Sequence, residues 1–338
     1  MKTFINENPD SVAEAVSLAQ AAIADGRSVA FAGGGTDLLQ LVKDRVVNRP
    51  GSGAPDVVVN LKNVAGIEGI QAISEGGLRV GGLTTLSDIA SNAEFRDGFA
   101  VLAEAAASVA TPQIRNAGTL AGNVCQRPWC WYYRNGFDCF KAGGNQCFSI
   151  AGENQLHAIF GGGPSFIVHP SDLAPVLVAL GASFNIAGPS GERTVSSEEF
   201  FLLPQEDAAR ENVLTDDEVL VSADLPAQAT GSRGHYFKVM DRETWTHAVV
   251  SVAAVLEMDG DLCRSASIVL GGVAPIPWRA TAAEERLTGQ RLTPALAEAA
   301  GTTSTAGAQP MSKNGYKVPL TQRAVERTLL TLIGSSPA

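Results

Sequence analysis

Four of the five cysteines in this chain fall within 23 residues, at Cys125, Cys130, Cys139 and Cys147. Their spacing, C-x4-C-x8-C-x7-C, lacks the paired C-x2-4-C knuckles that are usual in structural zinc sites. Four close thiolates are the ligands that an iron–sulfur cluster requires. The cysteines therefore predict an iron–sulfur site first, tetrahedral zinc second and free thiols third.

The remaining cysteine, Cys263, lies in a predicted strand, so we interpret it as a core residue. The first residues, 1–7, lack the apolar core of a signal peptide, and disulfide bonds are therefore not expected. Several aromatic side chains beside the cysteines could shield a cluster from water, or could equally be ordinary core. They are Trp129, Trp131, Phe137, Phe140 and Phe148.

Two small-residue loops are candidates for holding a phosphate. The first is Gly33-Gly34-Gly35-Thr36-Asp37, and the second is Gly118-Thr119-Leu120-Ala121-Gly122-Asn123. Glycines between a strand and a helix let backbone N–H groups approach an anion, and the helix N-terminus adds positive potential. The first loop is neither a Rossmann fingerprint, because position 38 is leucine, nor a P-loop, because no Gly-Lys-Ser/Thr follows. Either loop alone is more often a tight turn or a backbone crossing, but the pair predicts a two-sided grip on a pyrophosphate.

Strands and helices that would position these loops follow from hydrophobic periodicity. The first unit is a strand–glycine loop–helix–strand, with a helix over 10–25, a strand over 28–31, a helix from 38 and a strand over 56–61. The middle of the chain predicts strands at 76–83 and 218–225, a hairpin of 183–187 with 194–196, and helices at 84–90, 104–110 and 171–180. The last part predicts strands at 236–240, 249–258 and 263–271, then helices from 279 to 333. Residues 205–217 predict an exposed connection and residues 301–313 a mobile loop.

Length and composition exclude several classes of protein. A chain of 338 residues suits two or three domains, and the linker signal at 226–232 predicts a boundary. The net charge of −10, with no block of Lys or Arg, argues against a nucleic-acid partner. No apolar run approaches the length of a membrane span, so membrane insertion is not expected.

Three motifs together resemble those of the FAD-binding subunits of the molybdenum hydroxylases, the xanthine dehydrogenase and carbon monoxide dehydrogenase group. They are the first loop with its flanks (32–39), the segment from Thr111 to Asn123, and Pro170-Ser171-Asp172-Leu173-Ala174-Pro175. The likeness covers nearly the whole chain, including Tyr236-Phe237-Lys238. The motifs are specific in combination.

The cysteine insert, residues 124–163, resembles one branch of this family, whose flavin subunit also holds a [4Fe-4S] cluster. That branch includes 4-hydroxybenzoyl-CoA reductase and the periplasmic aldehyde oxidoreductases. The run from Gln146 to Ile159 is more similar to the aldehyde oxidoreductase type. The resemblance thus implies a [4Fe-4S] cluster at Cys125, Cys130, Cys139 and Cys147.

The resemblance also implies the fold, which is α+β. A two-subdomain FAD-binding fold of the PCMH/VAO type would occupy residues 1–226, with subdomains 1–61 and 62–226. A C-terminal domain of the carbon monoxide dehydrogenase flavoprotein type, an α/β domain with an antiparallel sheet and helices, would occupy residues 233–338.

The FAD-binding residues follow by position from the same resemblance. The first loop would bind the pyrophosphate with backbone amides, Asp172 would hold a ribose or ribityl hydroxyl, and Lys238 would lie near the flavin. The predicted set is Ala32, Gly33, Gly34, Gly35, Thr36, Asp37, Thr111, Gly118, Thr119, Gly122, Asn123, Asp172 and Lys238. Ala121 stands where glycine is usual, so one extra methyl must be accommodated. Arg242 is left out, because the residues after Lys238 depart from the usual serine–arginine pattern.

The function implied is that of an oxidoreductase subunit that transfers electrons within a heterotrimer. Its partners would be a molybdenum cofactor-binding large subunit and a [2Fe-2S] small subunit, and non-covalent FAD would pass electrons to an external acceptor. A cytoplasmic location is expected, or a periplasmic one if a partner's signal carries the complex. The alternatives are a stand-alone PCMH-type flavin oxidoreductase and a non-enzymatic, zinc-stabilised interaction protein.

Overall fold

The computed structural model describes residues 3–46, 54–96, 98–244 and 246–334, so the predicted domain limits at residues 1 and 338 lie outside the described residues. Its first sheet is parallel, in the order β1-β3-β2, with β1 (Ile5–Glu7), β2 (Val29–Ala32) and β3 (Val57–Asn60). Parallel neighbours need a crossover connection, and the helices α1 (Val12–Ala24) and α2 (Leu38–Asp44) provide it. The predicted strand–loop–helix–strand unit is confirmed, and β1 is an additional strand that the sequence analysis missed.

Helix α1 shows why the local prediction succeeded. The Ser11 side chain accepts a hydrogen bond from the Glu14 amide at 3.3 Å, which is the N-cap contact that serine favours. Its buried face consists of Ala15, Val16, Ala19 and Ala22. Gly26 has φ +73°, the left-handed conformation that ends many helices.

The second sheet has five antiparallel strands in the order β4-β5-β8-β6-β7. They are β4 (Ile70–Ala72), β5 (Leu78–Gly81), β6 (Ser183–Gly188), β7 (Gly191–Ser196) and β8 (Val219–Leu225). The helices of this part of the chain are α3 (Leu86–Ser91), α4 (Ala100–Ala107), α5 (Pro112–Arg115), α6 (Leu120–Val124), α7 (Trp131–Arg134), α8 (Leu173–Ala179) and α9 (Ser197–Phe200), with 3₁₀ turns at Leu61–Asn63, Ser74–Gly76, Ala93–Arg96 and Phe140–Ala142. The predicted hairpin is confirmed as β6–β7.

Helix α4 ends at Ala107, three residues before the predicted end. Ala110 has φ +42°, which breaks the helix before the proline is reached. Pro112 then stands in the first turn of α5, where a missing N–H costs nothing, and the Thr111 hydroxyl accepts from the Ile114 amide at 3.4 Å. The Thr-Pro pair therefore starts a new helical turn after the old helix has already ended.

The third sheet is antiparallel, in the order β12-β11-β10-β9. Its strands are β9 (Ser232–Val239), β10 (Val250–Asp259), β11 (Leu262–Gly271) and β12 (Trp278–Arg279), followed by α10 (Thr281–Leu287), α11 (Pro294–Thr303) and α12 (Lys317–Gly334). Strand β10 is apolar on both faces. Ala253 and Val255 pack into the core of the second sheet, whereas Val252, Ala254 and Leu256 pack into the C-terminal core. The third sheet is therefore covered on both sides.

Two predicted surface segments are more ordered than expected. Within 205–217, Glu211 and Leu214 are buried, because the segment covers the cysteine insert. Within 301–313, α11 continues to Thr303, and Ser312 and Lys313 bond to Asn154. No helix in the described part of the chain is long and apolar enough to cross a membrane.

Candidate cofactor site

A cavity of ≈ 410 Å³ lies where the two glycine loops, the cysteine insert and the C-terminal sheet meet. Six residues of the predicted FAD set line it: Thr36, Asp37, Gly118, Gly122, Asn123 and Asp172. Its remaining wall includes residues from the insert and the C-terminal domain, among them Trp129, Cys130, Trp131, His157, His169, Arg242, His247 and Gly272. Arg242, which the prediction left out of the site, also belongs to this wall.

The two glycine loops cross each other closely. A Cβ added to Gly34 would lie 1.7 Å from the Ala117 carbonyl oxygen, and one added to Gly33 would lie 3.0 Å from the Thr119 hydroxyl. Gly35 has φ +71°, which favours glycine for a second reason. The backbone crossing that the sequence left as an alternative is therefore present, and it brings both loops to the same cavity.

The second loop is fixed by its own side chains. The Thr119 hydroxyl accepts from the Gly122 amide at 3.1 Å and caps α6. The side-chain oxygen of Asn123 accepts from the Ser171 hydroxyl at 2.6 Å, which ties α6 to the start of α8. The extra methyl of Ala121 is accommodated opposite Gly82, whose carbonyl accepts from the Ala121 amide at 2.9 Å.

Asp172 is the centre of a buried ion pair at the cavity wall. One of its oxygens accepts from Lys238 Nζ at 2.7 Å, and the other accepts from the Tyr236 hydroxyl at 2.7 Å. Burial, and then the Asp172 charge, raise the pKa of Tyr236 well above its ordinary value, so the phenol keeps the proton that it donates. Lys238 also donates to the Ser108 carbonyl at 3.1 Å. Asp172 and Lys238, predicted separately, thus form one unit.

Two histidines of the wall are held neutral by burial. Burial lowers the pKa of His169 to about 4, and it also lowers the pKa of His247. The His247 ring lies 5.0 Å from the Trp129 ring, while the Arg134 guanidinium lies 4.2 Å from the centre of that ring. Trp129 is therefore fixed between the insert and the C-terminal domain.

Asp37 connects the first glycine loop to the cysteine insert. One of its oxygens accepts from Arg134 Nη2 at 2.8 Å, and the other accepts from the Arg127 amide at 2.9 Å. Both carboxylate oxygens are thus used within the protein. Asp37 therefore anchors the insert to the first glycine loop, which was not predicted from the sequence. Its predicted contact with FAD stays a prediction.

A buried charged cluster holds the insert against the segment around residue 211. Glu211 pairs with Arg127 and, at 2.8 Å, with Lys141 Nζ, and all three side chains are at least nine-tenths buried. Burial by itself would raise the pKa of Glu211, but the charges of Arg127 and Lys141 lower it overall. The three groups are therefore charged and mutually compensated.

The four clustered cysteines form no disulfide bonds among the described residues and lie in different local settings. Cys125 follows α6 and packs at the edge of the core of the second sheet, whereas Cys130 and Cys139 pack in a small cluster with Tyr133. Cys147 Sγ lies 3.1 Å from the Ser149 hydroxyl. Cys263 is fully buried in β11, which confirms its interpretation as core.

Burial shifts the pKa of two of the clustered thiols upward. Burial raises the pKa of Cys130 to about 11, whereas the backbone amides of Tyr133 and Tyr132 stabilise its thiolate. Cys139 receives backbone amides in the same way, and the charges of Cys139 and Cys147 both act on Cys130.

The positions of the four cysteine side chains do not by themselves form a complete metal-binding site. Among the residues that the structure describes, no three His, Cys, Asp or Glu side chains meet closely enough to hold a metal ion. A cubane binds each of four thiolates to a different iron rather than gathering them around one ion. The iron–sulfur prediction therefore stays a prediction.

Several residues that the structure brings to the site are not among the predicted ones. Tyr236 could have been found, because it lies two residues before Lys238 and alternation puts both on one face of a strand. Arg127, Arg134 and Glu211 carried no such signal, since their partners are far away in the chain. Buried Lys317 donates to the carbonyls of Leu156 and Gly272, at 3.0 and 2.7 Å, and was also missed.

Two family models match the chain in succession. The FAD binding domain in molybdopterin dehydrogenase matches residues 3–228, and the CO dehydrogenase flavoprotein C-terminal domain matches residues 235–332. The fold is similar to that of carbon monoxide dehydrogenase from Hydrogenophaga pseudoflava, with a TM-score of 0.76, 26% identity and 98% of each chain covered. It is also similar to quinoline 2-oxidoreductase from Pseudomonas putida 86, with a TM-score of 0.74, 25% identity and 98% of each chain covered.

Curated relatives match along nearly their full length. The aldehyde oxidoreductase FAD-binding subunit PaoB of Escherichia coli (strain K12) is 33% identical over 333 residues, covering 97% of this chain and 98% of the relative. The carbon monoxide dehydrogenase medium chain of Hydrogenophaga pseudoflava is 27% identical over 327 residues, covering 95% and 94%. These matches confirm the resemblance and the fold class drawn from the sequence.

Proposed function

The chain belongs to the FAD-binding subunits of the molybdenum hydroxylases, and from this premise we propose that it is the electron-transfer subunit of such a complex. Members of this family are flavin-dependent oxidoreductase subunits. The observation that carries the proposal is the cavity of ≈ 410 Å³ that both glycine loops and Asp172 line. A cavity of several hundred cubic ångströms with few polar groups is typical of a cofactor site.

The residues of the cavity suit FAD in their chemistry. The crossed loops bring Thr36 and Gly118 to the cavity wall, where a pyrophosphate would be held. Asp172, which lines the cavity, holds Lys238 in an ion pair at 2.7 Å. FAD exchanges electrons singly or in pairs, which allows a subunit that binds it to join one-electron clusters to a two-electron acceptor. The chain's own contribution is to bind and orient this cofactor.

We further propose that Cys125, Cys130, Cys139 and Cys147 hold a [4Fe-4S] cluster. Support comes from their confinement to one insert and from the packing of Cys130 and Cys139 in one cluster with Tyr133. Of the four, Cys130 lines the cofactor cavity. A cluster there would adjoin the flavin, and metal-binding free energy would also stabilise the insert.

The proposed partners are a molybdenum cofactor-binding large subunit and a [2Fe-2S] small subunit, with an external electron acceptor. Support comes from relatives named as the medium chain of carbon monoxide dehydrogenase and the FAD-binding subunit of an aldehyde oxidoreductase. A division into a FAD-binding domain (1–226) and a C-terminal domain (233–338) is part of the same proposal. The change of family model between residues 228 and 235 supports it.

One purification tests these proposals together. The complete chain is purified anaerobically, and its absorption spectrum, FAD released by acid, iron and acid-labile sulfide are measured. We expect about one FAD and one four-iron cluster per chain. FAD without iron, together with substrate turnover by the chain alone, would instead support a stand-alone flavin oxidoreductase. About one zinc with no flavin would support an interaction protein. Flavin that stays with the acid precipitate would overturn non-covalent binding.

A further inference from the structure

We propose that His157 is a positioning residue of the cysteine insert, whose Nε2–H group donates a hydrogen bond to the Cys130 sulfur and raises the reduction potential of the cluster bound there. This inference rests on the cluster of the proposed function. The two atoms lie 3.3 Å apart, within reach of a hydrogen bond to sulfur. His157 is 4% exposed, and both residues line the cofactor cavity.

The partners of the imidazole determine which nitrogen donates. His157 Nδ1 is buried and has no hydrogen-bond partner among the described residues. A proton on Nδ1 would leave a buried N–H unsatisfied, whereas a proton on Nε2 meets the sulfur. A thiolate accepts hydrogen bonds and does not donate them. The pair is therefore Nε2–H to sulfur.

The ring is held in place from several sides. Its centre lies 6.2 Å from the Trp131 ring and 6.0 Å from the Tyr132 ring. The His157 amide donates to the Asn154 carbonyl at 3.0 Å, and its carbonyl accepts from Asn314 Nδ2 at 3.0 Å. Asn314 is itself fully buried. Since the C-terminal domain fixes the backbone and the insert fixes the ring, the donor is set before any metal binds.

A hydrogen bond to a ligand sulfur favours the reduced cluster, which carries more negative charge, and so raises its potential. Cys130 is the predicted ligand that lines the cavity, so the bond acts on the side of the cluster that faces the proposed flavin site. His157 would thereby help to set the potential of the cluster relative to the flavin.

The test compares His157→Leu, which removes the donor, with His157→Gln, whose side-chain amide can still reach sulfur. His235→Leu is the control, since His235 bonds to Glu104, away from the insert. The complete chain is purified anaerobically with its cofactors. Iron and sulfide are measured, and the midpoint potential of the cluster is obtained by redox titration followed by electron paramagnetic resonance.

We expect His157→Leu to shift the midpoint to a lower potential, while His157→Gln and His235→Leu stay near the parent value. If His157→Leu has full iron content and an unchanged midpoint potential, the inference is wrong, whereas the proposed cluster is still supported. A parent chain without iron would overturn the cluster and the inference with it. His157→Leu could also hold no iron. In that case the inference is supported if His157→Gln keeps the cluster at the parent potential. It is overturned if both variants lose the cluster.

Discussion

The two halves of the cofactor site are built by different means. The glycine-loop half is defined by close backbone approach, with Gly34 against the Ala117 carbonyl. The cysteine-insert half is defined by buried polar side chains, with Asp37 holding Arg134, Glu211 holding Lys141, and Asn314 holding the carbonyl of His157. A backbone crossing needs residue types that can be recognised in the sequence, whereas the buried contacts need partners from distant parts of the chain. The glycines of the first half can therefore be recognised in the sequence, whereas the buried side-chain contacts of the second half cannot.

Substitution of Gly34 by valine should have the largest effect in the glycine-loop half. Its Cβ would lie 1.7 Å from the Ala117 oxygen, so the loops cannot cross without moving. We expect loss of FAD retention and a destabilisation above roughly 4 kcal/mol. FAD content and the denaturant midpoint measure it. Gly315→Val is the matched control, because a Cβ there meets nothing within 4 Å. Normal flavin content in a stable Gly34→Val chain would show that the crossing is not required.

Removal of Glu211 should have the largest effect in the insert half. Glu211→Ala leaves Arg127 and Lys141 buried without their counter-charge. We expect a loss of about 3–5 kcal/mol in the free energy of unfolding. Glu298→Ala, which removes an exposed ion pair with Arg323 on the same protein, should cost no more than about 1 kcal/mol. If Glu211→Ala and Glu298→Ala lower the free energy of unfolding equally, buried charged side chains do not stabilise the insert half in the way described above.

Asp172 lies where the two halves meet the C-terminal sheet. Asp172→Ala removes the partner of Lys238 and of the Tyr236 hydroxyl, and we expect FAD affinity to fall by roughly 1.5–3 kcal/mol. Tyr236→Phe keeps the ring and removes one hydrogen bond, so its effect should be smaller, about 0.5–1.5 kcal/mol. Flavin fluorescence titration of the apoprotein measures both. Unchanged affinity in Asp172→Ala would exclude Asp172 from the site.

Acid should weaken the fold through His169. Because burial lowers its pKa from 6.5 to about 4, the unfolded chain binds the proton first. The stabilising contribution is present above about pH 6.5 and is lost as the pH falls toward 4. At about pH 5, protonation of His169 should lower the free energy of unfolding of the parent chain by roughly 2 kcal/mol relative to neutral pH. We expect His169→Gln to lack this loss, so that its free energy of unfolding depends less on pH. His235→Gln, at a partly exposed histidine, is the control, and equal slopes in parent and His169→Gln would contradict the prediction.

What the sequence determined by itself was local. The periodicity and N-cap of α1 and the β6–β7 hairpin depend on neighbours a few positions away. Such constraints leave residue types and spacings that can be read directly. The family resemblance extended this to Asp172 and Lys238 as separate positions.

Only the tertiary structure decided which of these residues act together. Asp172 and Lys238 are separated by 66 positions, and Arg134 and Asp37 by 97. Lys317 reaches the Leu156 carbonyl across 161 positions. Such pairs leave no periodic signal, because a buried hydrogen bond constrains the direction and burial of two side chains but not their spacing along the chain. The segments near 211 and 313, polar in sequence, are ordered for this reason: their polar groups are satisfied by the insert rather than by water.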